Sequence, residues 1–133
     1  MMKISAGLLI LMLISCDPFS EVKQLEVDLG GQSVFILVKT WGIGSVHQKV
    51  VISNNKRLDG DDLELNETAS IIYKVQNGKM VLHTWMHYDI SSALTSLVTL
   101  KVYEPWEYVQ LSKKVRSNKV QDLTSIQVAE IGL

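Results

Sequence analysis

Ile71-Ile72-Tyr73-Lys74-Val75-Gln76-Asn77-Gly78-Lys79-Met80-Val81-Leu82-His83 is the stretch that decides the fold class. Two runs rich in β-branched and aromatic residues flank Asn77-Gly78, and a two-residue type I′ turn needs positive φ at both central positions, which Asn-Gly tolerates best. Counting outward pairs Gln76 with Lys79, Val75 with Met80, Lys74 with Val81, Tyr73 with Leu82 and Ile72 with His83. Side chains alternate along a strand, so this register sets Ile71, Tyr73, Val75, Met80 and Leu82 on one face, expected to be core. Ile72, Lys74, Val81, His83, Trp85 and His87 fall on the other.

The same period of two recurs on either side of the hairpin. Leu25, Val27 and Leu29 alternate with Gln24, Glu26 and Asp28, and Gly30-Gly31 marks a turn. Val34, Ile36 and Val38 oppose Phe35, Leu37 and Lys39 on a second strand, which Trp41-Gly42-Ile43-Gly44 breaks. A third strand runs from Val46 to Ser53, and the polar segment 56–67 reads as a surface loop. Residues 92–104 form another strand, with Leu94, Val98, Leu100 and Val102 inward, ended by Pro105. Shorter strands are expected at Tyr108 to Lys113 and at Ser125 to Ile131, separated by the basic segment Lys113-Lys114-Val115-Arg116. Seven or eight short strands with turns between them make this an all-β chain, an antiparallel two-layer β-sandwich over 22–133. An immunoglobulin-like topology is one arrangement of it, and a small antiparallel barrel is the alternative.

The first 17 residues have a different character. Lys3, the apolar run Gly7 to Ile14 and the small Ser15 supply the positive start, apolar core and cut site of an export signal. The run is far short of the roughly 18–20 apolar residues that span a bilayer, so residues 1–15 are expected to be removed as a signal helix. Leu13-Ile14-Ser15-Cys16 resembles the lipobox of bacterial lipoprotein precursors. The resemblance implies that Cys16, the sole cysteine, carries a diacylglycerol and becomes the first residue of the mature chain. A third acyl chain on its amino group is common in that family. Residues 16–21 would then be the lipidated cysteine and a short tether. Asp17 resembles the residue that keeps lipoproteins of enteric bacteria on the inner membrane, a rule other bacteria do not share, so inner and outer membrane both stay open. The run from Val34 to His87 also looks like small single-domain lipoproteins of bacterial envelopes, through Trp41-Gly42-Ile43-Gly44 and Ile71-Ile72-Tyr73. That likeness implies the same fold and no particular activity.

Composition narrows the function classes. Of 133 residues, removal of 1–15 leaves 118, with 12 Lys and Arg (13 less Lys3) against 14 Asp and Glu. Such a balance, without a basic face, argues against nucleic acid as a partner. One domain suits the length, and a mature chain whose only thiol is acylated must be stable on its core alone, without a disulfide.

Chemistry-bearing patterns are sparse. His83, Trp85 and His87 share a face, but the histidines at i and i+4 of an extended strand are about 13 Å apart, too far to ligate one metal together. A Zn or Cu site would need His47 or a carboxylate from elsewhere, leaving His47, His83 and His87 as weak ligand candidates. Asp59-Gly60-Asp61-Asp62 with Glu64 has calcium-like chemistry without EF-hand spacing. No Gly-x-Ser-x-Gly, His-Glu-x-x-His or phosphate loop occurs, and no cofactor is implied. Trp106 reads as an aromatic plug at one end of the sandwich or as an interfacial anchor. The expectation is a lipid-anchored, non-catalytic envelope module that binds a protein or glycan partner through Ile72, Val81, His83, Trp85 and His87. A small-ligand or metal carrier using the histidines is the alternative.

Overall fold

Alternating apolar and polar side chains can bury one face only if two such strips meet, and among the described residues eight strands do so in two four-stranded sheets. The structure, a computed structural model, describes residues 20–44, 47–56, 62–65 and 69–131. The signal segment 1–15, Cys16, Asp17 and Asp59-Gly60-Asp61 lie outside the described residues.

The first sheet holds β1 (Glu21–Asp28), β2 (Ser33–Trp41), β3 (His47–Ser53) and β4 (Leu63–Leu65) in that spatial order. All its neighbours are antiparallel, Leu25 facing Ile36 and Ile36 facing Ile52. In the second sheet, β5 (Ser70–Gln76) and β6 (Lys79–Thr84) form the hairpin, flanked by β7 (Val98–Val102) beside β6 and β8 (Thr124–Gln127) beside β5. The hairpin register matches the one counted from the turn, residue for residue. Asn77 and Gly78 have φ of 54° and 73°, as the type I′ turn requires.

The two sheets meet on Val34, Ile36, Val38, Val50 and Ile52 from one side and Ile71, Met80 and Leu82 from the other, all buried. Leu63 and Leu65, expected in a surface loop, are buried strand residues, because β4 completes the sheet against β3. Phe35, Leu37 and Val51 form a second buried cluster on the opposite face of the first sheet, with the Lys56 ammonium 5.9 Å from the centre of the Phe35 ring. Val75, expected in the core, is 42 % exposed, since it sits beside the turn.

Three further expectations are corrected. The strand order β1-β2-β3-β4 is a simple meander rather than an immunoglobulin-like arrangement, in which distant strands alternate. The sandwich is not wholly antiparallel either: β7 runs parallel to β6, Met80 facing Val98 and Thr84 facing Val102. A parallel neighbour needs a crossover of about a dozen residues, and the connection from Trp85 to Leu97 supplies it. The strand expected over 92–104 is therefore confined to β7. Finally, Tyr108 to Lys113 is helical, within α1 (Pro105–Arg116). Pro105 does end the strand, and it also opens the helix, where its fixed φ and missing N–H cost nothing.

The sheets share an alignment. The Gly78 turn lies against the Leu29 carbonyl, so the β5–β6 turn and the β1–β2 turn are at one end. Leu65, Thr84 and Trp85 border one cavity at the other end. That second end also carries the start of β1, where Glu21 faces Thr40, and the point where β2 leaves the sheet at Trp41.

Candidate functional site

The expected binding face is divided by the structure. Ile72 is 1 % exposed and His83 6 %; the Tyr103 ring stacks on His83, and α1 lies beside β8 with Val115 buried. Val81 is half-buried, while Trp85 and His87 lie beyond the end of β6 and are exposed. The five residues therefore do not form one open patch.

His83 is held by Tyr103, the residue that follows β7. Its Nδ1 lies 2.7 Å from the Tyr103 hydroxyl, and the two rings stack with centroids 5.5 Å apart. Tyr103 is placed by its own backbone N–H, which donates to the Thr84 carbonyl at 2.8 Å. The bond is served by either neutral tautomer, with the tyrosine donating to a bare Nδ1 or accepting from a protonated one. Burial pushes the imidazole below the ordinary histidine range, the Lys101 and Lys74 ammonium groups push it further, and Asp122 opposes them. His83 is thus a neutral structural histidine at pH 7.

That shift has a measurable sign. In the unfolded chain His83 takes up its proton near its ordinary value of 6.5, but in the folded chain only at lower pH. The unfolded state then binds more protons in this window, so the stabilisation is complete above about pH 6.5 and is lost as pH falls through the folded value. Thermal melts of wild type should show a fall in Tm from pH 7 to 5 that His83→Gln flattens; equal slopes would refute it. Tyr103→Phe should cost about 1 kcal/mol at pH 7 in denaturant unfolding, through loss of the hydrogen bond. No measurable change would mean that the bond contributes nothing.

The histidines considered as metal ligands are separated. His47 is exposed on the first sheet, stacked on Trp41 with centroids 5.5 Å apart, whereas His83 is committed to Tyr103 on the second. Among the described residues no three His, Cys, Asp or Glu side chains converge.

A cleft of about 200 Å³ opens where the hairpin ends, bordered by Leu65, Leu82, Thr84, Trp85, Tyr88 and Tyr108. Each wall comes from a different element: β4, the end of β6, the crossover and the first turn of α1. Burial, with the neighbouring Tyr88, raises the Tyr108 hydroxyl above the usual tyrosine range, so it remains a neutral donor and acceptor. No carboxylate or lysine is among the described residues that line the cleft. Aromatic faces with hydroxyl groups between them can hold a ring or an apolar side chain and orient it, while His83, which also borders the cleft, has its Nδ1 engaged by the Tyr103 hydroxyl.

Of the described residues that line the cleft, His83 and Trp85 were sequence candidates. Tyr108, Leu111 and Val115 follow Pro105 at i, i+3 and i+7, the spacing of a helix face, and that was the signal by which Tyr108 could have been found. Tyr88 lies in an irregular crossover and offers no such signal. Compared with known proteins, the chain matches no family model, and no curated protein or solved structure is significantly similar to it.

Proposed function

We propose that this chain is a lipid-anchored bacterial envelope protein whose sandwich is a non-catalytic binding module, taking a single ring or apolar side chain of a protein or glycan partner into the Trp85–Tyr88–Tyr108 cleft. The observation that carries the binding half is the cleft itself, open to solvent, walled by Trp85, Tyr88 and Tyr108 and without a carboxylate or lysine among the described residues that line it. At about 200 Å³ it is smaller than the roughly 300–1,000 Å³ usual for cofactor and drug-sized sites, which favours one inserted group over a whole small molecule. The anchor half rests on the lipobox-like Leu13-Ile14-Ser15-Cys16.

Two measurements test the two halves. Intact mass of the protein from a bacterial membrane fraction should show residues 1–15 removed and acyl chains added; an unmodified full-length mass would sink the anchor. Pull-down from detergent-solubilised envelopes should recover a partner that Trp85→Ala loses. Because Trp85 is 43 % exposed and outside the core, the variant stays folded, and unchanged recovery would reject the cleft.

A further inference from the structure

The exposed apolar residues are gathered at one end of the molecule. Among the described residues the large hydrophobic side chains left in solvent are Val22, Ile43, Val75, Trp85, Trp106 and Val109. Val75 alone sits near the Asn77-Gly78 turn. Val22 faces Lys39 beside the start of β1, and Ile43 is in the β2–β3 connection. Trp85 follows β6, while Trp106 and Val109 are in the first two turns of α1. Because β7 runs parallel to β6, Tyr103 and α1 emerge at the same end as Trp85. All three tryptophans of the chain therefore share one end, with Ile43 78 % and Trp106 69 % exposed.

This is also the end where the chain enters. Glu21 faces Thr40, one residue from Trp41, and Glu21 is only five positions along the chain from Cys16. Five extended residues reach roughly 17 Å. The opposite end lies about 27 Å further along β2. A lipid on Cys16 would thus bring the tryptophan-bearing end, and not the other, against the bilayer. Tryptophan is enriched at membrane–water interfaces because its ring is apolar and its indole N–H is polar. The Lys39 ammonium, 5.8 Å from the centre of the Trp41 ring, adds a cation suited to lipid phosphate beside that ring.

We propose that this end of the sandwich, through Trp41 and Ile43 of the first sheet and Trp106 and Val109 of α1, rests in the headgroup boundary of the bilayer that holds the anchor, an inference that builds on the lipid-anchored reading. Trp85 and its cleft then open at the membrane surface, and the partner is a group presented there.

The test uses the mature protein purified from membranes, with Trp85→Phe and Trp106→Phe leaving Trp41 as the sole tryptophan. It is reconstituted in phosphatidylethanolamine–phosphatidylglycerol vesicles with and without brominated acyl chains. Roughly half of the Trp41 emission should be lost to the brominated lipid, as for an indole at the interface. Adding Ile43→Asp, at a position too exposed to affect folding, should restore most of it. Absence of quenching in protein whose mass carries the acyl chains would overturn the membrane contact while leaving the anchor intact. Quenching undiminished by Ile43→Asp would overturn the role given to the β2–β3 connection. A mass without acyl chains would remove the tether and overturn both.

Discussion

Ile36→Ala should lower stability by about 2–5 kcal/mol and Tm by roughly 10–20 °C. Ile36 is fully buried at the centre of β2, between Leu25 of β1 and Ile52 of β3, in the cluster that also holds Ile71, Met80 and Leu82 of the opposing sheet. Truncation removes three carbons from a position where both sheets are pinned by backbone ladders, so the cavity cannot close. Single domains are held by only about 5–15 kcal/mol, and one such cavity is a large part of that. Thr99→Ala, at an exposed position on β7, should change stability by less than about 0.5 kcal/mol. Urea unfolding of both variants checks this, and equal midpoints would show that the sheets do not pack as described.

The second large effect is expected at Cys16. Under the proposed anchoring, each acyl chain buries its methylenes at about 0.8 kcal/mol per CH₂, so two or three chains hold the domain on the membrane almost permanently. No helix among the described residues is long and apolar enough to cross a membrane. Cys16→Ala should therefore leave the precursor unacylated and uncut, with the mass of the full-length chain, while wild type floats with membranes as the shortened lipidated form. A variant that matures and fractionates like wild type would reject the anchor at this residue.

The hairpin was legible because its determinants are local. Asn77-Gly78 imposes the turn, the turn imposes the register, and the register sorts Ile71, Met80 and Leu82 to one face. The reading failed where local pattern and tertiary partner disagree. Leu63-Glu64-Leu65 is too short and too flanked by charge to announce itself, yet β3 offers an edge that it can pair with. Tyr108 to Lys113 alternates well enough to pass for a strand, but Pro105 at the helix start and the buried Val115 in its last turn suit a helix lying on β8. The candidate site fared worse, since its walls come from β4, the crossover and α1, whose meeting depends on chain paths no local pattern encodes. Trp106 closes nothing: its place on the first turn of α1 leaves it 69 % exposed, which removes the plug reading.

The sequence by itself determined the all-β class, the hairpin register and, β4 excepted, the longer strands that supply the core, because backbone turn preference and side-chain alternation act within a few residues. Only the tertiary structure decided the meander order, the parallel β6–β7 pair, the burial of Ile72 and His83, and the gathering of three tryptophans at the end where the chain enters. Those depend on which edge each strand finds and what covers each face, and pairing energy alone is nearly indifferent to either until the whole core is assembled.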